Sequence, residues 1–399
     1  MHTNRSARWL LPALIVGLTG QAAIFGLRPI MSYRAIDLGA GALELGILAA
    51  SFALVPVFLA MPLGRHIDRR GGRNAAIIGS AICFIGTGLL LFSDSLFVLI
   101  MLNAVIGSSQ LAMTLSTQWL IGSSSASQSR NRSFAQFSLA TSIGHIVGPA
   151  LATSIGAGAE SLALNFYVGA FLFCTICHLI ACLATFFFPA TTTQSSADRS
   201  KLHSLREIIA VPGMKTSSFA SLITLATLDL FMVYLPLWAV DKGVSEVVVG
   251  GLLALRGAGS LVSRTFLPLL LKHRSHAFVA AISTLVSALA VGALAFADLW
   301  IATAASLSLG LALGIMQPLT MAWVVNLAPP GTIAAALSIR LLGNRAGQIL
   351  IPLGVAPLGT VMARPADLVF LISGALLLAS SAASGYLART APPSGKDYI

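Results

Sequence analysis

The stretch GRHIDRRGGRN, residues 64–74, is a short polar segment between two long apolar runs. Gly64 is expected to let two helices approach closely, and Gly71 can adopt the left-handed conformation of a tight turn. Four arginines surround the one acid, Asp68, which can pair with a cation or cap a helix. This pattern is typical of a basic turn at a membrane surface, so the flanking apolar runs decide the fold.

The composition is that of an integral membrane protein. Of the 399 residues, 56% are hydrophobic and only 9% are charged, whereas soluble domains carry about 25% charged residues. The net charge of +11 is spread over short loops between apolar runs, so we expect no nucleic-acid partner. The four cysteines lie within apolar runs, and they predict neither a disulfide framework nor a metal or haem cofactor.

Twelve apolar runs are long enough to cross a bilayer, which takes about 20 residues each. With the N-terminus inside, sixteen of the 24 Lys and Arg residues fall on the inner side and three on the outer side. This bias predicts cytoplasmic N- and C-termini in a cell membrane, for which we expect the bacterial inner membrane. The predicted spans begin near Trp9, Leu43, Ala75, Leu96, Phe134, Leu162, Phe219, Val247, Ala277, Leu299, Ile333 and Leu368.

A polar segment at residues 189–215 divides the chain near its midpoint. It predicts a cytoplasmic linker, with a short amphipathic helix over 202–210, between bundles at 1–188 and 216–399. Weak similarities between the halves recur at offsets of 199 and 204 residues, as in GHIVG at 144–148 and GNRAG at 343–347. The predicted fold is therefore an all-α membrane protein with twelve transmembrane helices in two pseudo-symmetric six-helix bundles.

The loop after the second span resembles the signature loop of the major facilitator superfamily. The matching residues are Gly64, Asp68, Arg69, Gly71 and Arg73. The resemblance implies a transporter whose two halves rock around a central site, with this loop as a latch on the cytoplasmic side. A loop that only enforces the positive-inside orientation would explain the arginines but neither the glycines nor the acid.

The fifth span carries GHIVGP, residues 144–149, which is similar to an element of the drug/proton antiporters of this superfamily. Gly144 and Gly148 form a small-residue face, and Pro149 is expected to bend the helix. The resemblance implies proton-coupled export, whereas the residues alone are equally consistent with close helix packing. One departure is Asn103, which stands where these antiporters usually have an arginine in the fourth span.

Several arginines lie inside predicted spans, where each costs at least roughly 2.5–3.5 kcal/mol on insertion scales. The only acid deep in a span is Asp229, so we expect an electropositive cavity for an anionic or acceptor-rich substrate. Asp229 could instead pair with Arg256, and Arg340 could belong to a gate, while Arg264 is expected to snorkel at the inner edge. The predicted substrate-binding residues are Arg28, Arg256, Arg345, Arg340, Asn344, Gln110 and Gln317.

Proton coupling requires a titratable group within the spans, and the candidates are Asp229 and His145. The sequence therefore predicts a monomeric secondary transporter of a small organic molecule, with proton-coupled export as the leading hypothesis. The alternative is an organic anion or carboxylate carrier that works in uptake or exchange. Neither a catalytic Ser/His/Asp group nor a nucleotide-binding loop is evident in the sequence, so an enzyme is not expected.

Overall fold

The computed structural model describes residues 9–124, 130–189, 205–329, 333–359 and 364–390, and every regular element within these ranges is helical. Linker residues 190–204, both chain ends and the Asp68 side chain lie outside what the structure describes. The helices are α1 Leu10–Asp37, α2 Ala42–Arg70, α3 Arg73–Leu89, α4 Leu96–Ser124, α5 Arg130–Ser161, α6 Phe166–Thr185, α7 Leu205–Ala210, α8 Met214–Lys242, α9 Glu246–His273, α10 His276–Ala293, α11 Leu299–Gly314, α12 Met316–Leu327, α13 Ile333–Gly359 and α14 Pro365–Thr390.

Eleven spans in the described ranges are long and apolar enough to cross a membrane, with α11 and α12 together forming one of them. Helix α13 is not among the eleven, although its 27 residues would extend about 40 Å at ~1.5 Å per residue. Arg340, Asn344, Arg345 and Gln348 lower its mean hydropathy. The same polar residues that make α13 a candidate for the functional site thus make it the weakest span by composition.

The chain divides into two compact units. Unit 1 holds Met1–Ser196 and Ala239–Ala254, and unit 2 holds Ala197–Trp238 and Leu255–Ile399. In unit 1, α1 packs on α5 and α6, and α4 packs on α2 and α3. In unit 2, α10 packs on α14 and α11, and α13 packs on α12 and α14. The boundaries at 188 and 216 remain a sequence prediction.

Helix ends are set by local chemistry. Gly71 ends α2 with a φ of 82°, a conformation that costs glycine little because it lacks a Cβ. The side chains of Asn165, Ser275 and Asp298 accept hydrogen bonds from the first backbone N–H groups of α6, α10 and α11. Each cap satisfies an amide that has no partner within the helix.

The close helix approach expected at Gly64 is wrong for this structure. Among the described residues, no atom lies within 4 Å of where a Cβ on Gly64 would stand. Gly64 lies in the last turns of α2, where the neighbouring Arg65 and His66 are exposed. Ile67, in the same turn, is buried, so this end of α2 packs on another face and Gly64 itself makes no close helix contact among the described residues.

The predicted amphipathic helix is confirmed over α7, while residues 202–204 lie outside the described ranges. Ile208 is fully buried against Met214, Val324 and Ala336. Arg206 and Glu207 are exposed on the other side of this helix. One apolar side chain therefore fixes the short helix to the ends of α8, α12 and α13.

Close helix contacts recur at equivalent places in the two units. A methyl group added at Gly107 would overlap the Phe52 carbonyl oxygen in unit 1, and one added at Gly310 would overlap the Arg256 carbonyl oxygen in unit 2. Gly148 lies against the backbone of Ala22, and Gly347 lies against Leu222, chiefly its side chain. These pairs are separated by 199 to 204 residues, the range of offsets found in the sequence, and they support an internal repeat.

Candidate functional site

A chain of hydrogen bonds joins α13 to α8 inside unit 2. Arg345 Nη1 donates to Gln348 Oε1 over 2.9 Å, and Gln348 Nε2 donates to Asp229 Oδ2. Asp229 is 7% exposed and Gln348 is 4% exposed. Arg345 and Gln348 lie three residues apart, a spacing that places them on one face of α13. The Gln348 amide thus bonds to both the guanidinium and the carboxylate.

Arg256 brings a second buried cation near the same carboxylate. It lies on α9 and is 5% exposed. The negative charge of Asp229 attracts it, and the positive charge of Arg264 repels it. Its own carbonyl oxygen packs against Gly310 of α11. Asp229 is therefore positioned between cationic residues of two helices, α9 and α13.

Arg340 is held by α12. Its Nε and Nη2 donate to Thr320 Oγ1 at 3.2 and 3.0 Å, and Nη2 also donates to the Gln317 carbonyl at 3.1 Å. Thr320 Oγ1 in turn donates to the Met316 carbonyl over 2.7 Å. Arg340 is 4% exposed, so a large part of its hydrogen-bonding capacity is used in joining α13 to α12.

Asn344 lies one helical turn beyond Arg340 and is 3% exposed. Its Oδ1 atom has no hydrogen-bond partner among the described protein residues. A buried amide oxygen without a partner is costly, and a bound ligand or water would satisfy it. Asn344 thus remains a candidate for ligand contact between the Arg340 and Arg345 positions.

Arg264, expected to snorkel at the inner edge, bonds to the end of α11. Its Nε donates to the Gly314 carbonyl at the end of α11 over 3.2 Å. Pro318, four residues further on, has no N–H with which to bond that carbonyl. Pro318 therefore leaves the Gly314 carbonyl without its helical donor at the junction of α11 and α12, and a half-buried arginine from α9 bonds to this oxygen.

In unit 1, Arg28 lies over an aromatic ring. Its Cζ is 4.3 Å from the centroid of Phe52, and the residue is 8% exposed. A cation above a ring face is attracted by the ring quadrupole, by up to about 2 kcal/mol when desolvated. Arg28 can therefore remain charged on α1 with an aromatic neighbour on α2.

His145 of α5 is linked to α1. Its Nε2 lies 3.2 Å from Gln21 Oε1, and its ring stacks on Phe25 with centroids 3.7 Å apart. Because Gln21 Oε1 can only accept, His145 Nε2 is the donor in this pair. His145 thus joins α5 to α1 by one hydrogen bond and one ring contact.

Asn103 joins α4 to α2. Its Nδ2 donates to the Leu48 carbonyl at 2.7 Å and to Ser51 Oγ at 3.0 Å. Two turns away on α4, Gln110 is 7% exposed and donates weakly to Thr114 over 3.4 Å. Gln110 Oε1 has no hydrogen-bond partner in the described part of the protein, which leaves it available to a ligand.

The glycines of the fifth span pack α5 against α1. A Cβ on Gly144 would lie 2.5 Å from the Leu18 carbonyl oxygen, and one on Gly148 would overlap the Ala22 carbonyl. Pro149 follows within the same continuous helix. This packing accounts for both glycines without reference to a direction of transport.

Of the described latch residues, Arg73 makes a contact that the sequence did not predict. Its Nη2 donates to the Phe186 carbonyl at the end of α6 over 3.1 Å. Arg69 is exposed at the end of α2.

Within the described residues, no group of three or more His, Cys, Asp or Glu side chains could hold a metal ion.

The comparisons with known proteins agree with this architecture. The sequence model of the Major Facilitator Superfamily matches residues 13–352, and the chain therefore belongs to the major facilitator superfamily, a family of membrane transporters. No curated protein sequence matches the chain. The drug/proton antiporter subtype stays a hypothesis, and membership favours a transporter over an enzyme.

Solved structures of similar fold include several transporters. The nucleoside transporter NupG is 14% identical over 96% of this chain and 99% of its own, with a TM-score of 0.74. The peptide transporter POT in complex with sulfate is 14% identical over 96% and 95%, at 0.75. A bacterial homologue of the human lysosomal transporter Spinster is 15% identical over 96% and 98%, at 0.70. At these identities the likeness shows the fold alone.

Proposed function

We propose that this protein is a proton-coupled secondary transporter of a small organic anion. The observation that carries the proposal is the charge of the interior of unit 2. Arg256 and Arg340 are about 5% exposed or less, and Arg264 and Arg345 are half-buried. Asp229 is the one acid in the middle of a long helix within the described ranges. Buried arginines persist in membrane helices where they face a cavity, a counter-ion or a ligand.

Carboxylate, phosphate or sulfonate groups fit this interior best. A guanidinium presents paired donors that match the two oxygens of such groups. Arg345 Nη1 donates a hydrogen bond to the Gln348 amide. Asn344 adds a buried amide whose oxygen has no hydrogen-bond partner among the described protein residues. An anion with a hydrogen-bond donor elsewhere in the molecule would satisfy both kinds of group.

In this proposal, α13 crosses the bilayer as a twelfth span, and both chain ends are cytoplasmic. Asp229 carries the coupling proton, because its carboxylate is buried beside the arginines that would bind the anion. Anion and proton then move in the same direction, so that an inward proton gradient drives uptake.

Proton-driven export of organic molecules is the second candidate. It is favoured by the GHIVGP element of α5, which resembles that of the drug/proton antiporters. In that mechanism the substrate and the proton compete for the site, so acidification weakens substrate binding. The sign of the pH effect on binding separates the two candidates.

The test is a thermal-stability screen of the purified full-length protein against organic anions, their neutral amides and cationic dyes at pH 5.5 and 7.5. A ligand that binds the folded state raises its apparent stability. We expect stabilisation by one or more anions, stronger at pH 5.5, and none by the matched amides. Stabilisation by cationic dyes alone, stronger at pH 7.5, would contradict the proposal and favour export.

A further inference from the structure

The turn between α9 and α10 carries a compact cluster of basic side chains. Helix α9 ends at His273 and α10 begins at His276, so only two residues separate the helices. Lys272, His273 and Arg274 are all exposed at this turn. The Arg274 N–H still donates to the Leu270 carbonyl over 3.0 Å, which keeps the three basic residues within one helical turn.

The cations of this turn have no counter-ion on the helices that they join. No Asp or Glu occurs between Glu246 and Asp298, a stretch that includes the rest of α9 and the whole of α10. Within the described residues, the side chains of Lys272 and Arg274 form neither an ion pair nor a hydrogen bond. Their charge is therefore available to a partner outside the chain.

The geometry around Arg274 suits an anion with several oxygens. Its Cζ lies 4.8 Å from the ring centroid of Phe278, a contact that uses the charge of the guanidinium but none of its N–H donors. Those donors form a planar fork that matches two oxygens of a phosphate group. The N-terminus of α10, which Ser275 caps, adds the partial positive charge of a helix end beside the turn.

The turn adjoins a surface that faces lipid. Helices α9 and α10 are each long and apolar enough to cross a membrane. Phe266 and Leu269, near the end of α9, are 54% and 59% exposed, and Phe278 of α10 is 38% exposed. Apolar side chains exposed on membrane spans face acyl chains, and cations at the ends of such spans lie at the depth of the lipid headgroups.

The internal repeat distinguishes this turn from its counterpart in unit 1. An offset of 204 residues, within the range found above, aligns Asp68 with Lys272 and Arg70 with Arg274. The sequence of the first turn thus has an acid among its arginines, whereas the second has a lysine at the same place. The turn of unit 2 therefore lacks an internal counter-charge, which an anion from outside the chain would supply.

We propose that the turn formed by Lys272, His273 and Arg274 binds the headgroup of an anionic phospholipid of the surrounding bilayer. The lipid phosphate lies between the two cations, and the acyl chains lie along the exposed apolar side chains of α9 and α10. A phospholipid fits better than a soluble anion, because it fills the charged surface and the apolar surface together. With cytoplasmic chain ends, the turn faces the cytoplasmic leaflet, which is rich in anionic lipids. No transport substrate enters this inference.

Native mass spectrometry of the full-length protein in detergent micelles measures this binding. The protein is titrated with phosphatidylglycerol, or with phosphatidylcholine that has the same acyl chains. We expect the wild type to bind its first phosphatidylglycerol more tightly than phosphatidylcholine. Lys272→Gln/Arg274→Gln should weaken phosphatidylglycerol binding by about fivefold for each cation removed. Phe278→Leu should weaken it less, because Arg274 keeps its charge and loses only the ring that positions it.

The matched control is Arg65→Gln/Arg70→Gln, which removes two exposed arginines from the equivalent turn of unit 1. Its affinity for the first phosphatidylglycerol should equal that of the wild type. Equal weakening in the two double variants would show that net charge attracts the lipid without a defined site, and it would overturn the proposal. Equal binding of the two lipids by the wild type would do the same.

A conservative pair separates loss of charge from loss of structure. Lys272→Arg/Arg274→Lys keeps both cations, so it should bind phosphatidylglycerol as the wild type does. Gel filtration and thermal unfolding establish that each variant is folded before it is compared. If this folded pair lost the lipid as completely as the glutamine pair, positive charge would not be the cause of binding and the proposal would be wrong.

Soluble anions test the choice of a lipid. Inorganic phosphate and glycerol phosphate are added to the wild type, and thermal unfolding is measured with each and with phosphatidylglycerol. A ligand of the folded state raises its apparent stability, and we expect this effect from the lipid only. Stabilisation by glycerol phosphate to the same extent, absent in Lys272→Gln/Arg274→Gln, would identify the ligand as a soluble anion and refute the lipid. Neither result bears on the proposed transport function.

Discussion

Arg340 and Arg345 lie five residues apart on α13, yet their contacts differ in kind. Arg340 bonds to a hydroxyl and a backbone carbonyl of another helix, α12. Arg345 bonds to an amide of its own helix that leads to a carboxylate. The first arrangement joins α13 to α12 through a hydroxyl and a backbone carbonyl, whereas the second links a guanidinium to a buried carboxylate on α8.

Substitution should therefore separate stability from transport at these two positions. Arg340→Met is expected to lower the free energy of unfolding by about 1–3 kcal/mol, because Thr320 and Gln317 lose a charged partner. Arg345→Met should leave thermal stability closer to the wild type but abolish anion binding. Thermal unfolding and benzoate titration of both variants provide the comparison. A larger loss of stability in Arg345→Met, with binding retained, would refute this assignment.

Contacts between residues on one helix can be predicted from sequence, because spacing alone determines which side chains share a face. The Arg345–Gln348 bond, between residues three apart, is of this kind. The partners of Arg28 and Arg340, namely Phe52 and Thr320, lie on other helices, and helix spacing carries no information about them. The sequence could have indicated a partner for Arg264, because Pro318 leaves the carbonyl four residues before it without a helical donor.

At the scale of the element, prolines and glycines decide where helices break and touch. The junction of α11 and α12 depends on Pro318 and on the bond from Arg264 to the Gly314 carbonyl. A single span was predicted there, and the structure resolves it into two consecutive helices that share one span. Hydropathy detects the span, while the junction lies where Pro318 provides no N–H for the Gly314 carbonyl.

A double substitution tests this explanation. Arg264→Met should destabilise the protein by about 1–3 kcal/mol, because the buried Gly314 carbonyl loses a donor. Pro318→Ala supplies the missing N–H, so we expect Arg264→Met/Pro318→Ala to recover a measurable part of that loss in thermal unfolding. If the two effects simply add, the carbonyl is not their common partner.

The paired helix contacts provide a second test at this scale. Gly107→Ala and Gly310→Ala would each place a methyl group on a backbone carbonyl oxygen of the adjacent helix, so both should sharply lower thermal stability and expression. Gly292→Ala is the control, since no atom of the described residues lies within 4 Å of its Cβ position. In a helix this control should be neutral or stabilising by up to about 1 kcal/mol. Equal stability of all three variants would show that the close contacts are not required.

For the molecule as a whole, composition predicted a membrane protein and the apolar runs predicted its helices. The loop at residues 64–74, together with this topology, predicted the family, which the match over residues 13–352 confirms. Eleven of the predicted spans have the length and hydropathy of membrane helices in the described ranges. The twelfth predicted span, α13, is not among them, because the polar residues that carry the proposed function reduce its hydropathy. Substrate identity could not be predicted, since it depends on how side chains from several helices converge.

The central claim is that an organic anion and a proton move together through this protein. The most direct measurement is proton flux into proteoliposomes that contain a pH-sensitive dye, after external addition of organic carboxylates and sulfonates without an imposed gradient. Protein-free liposomes correct for permeation of weak acids. We predict that one or more anions draw protons inward through the wild type, and that their neutral amides, the Arg345→Met protein and the Asp229→Asn protein give no such flux. Proton release on addition of a transported substrate, or anion transport by the wild type without any proton movement, would contradict the account.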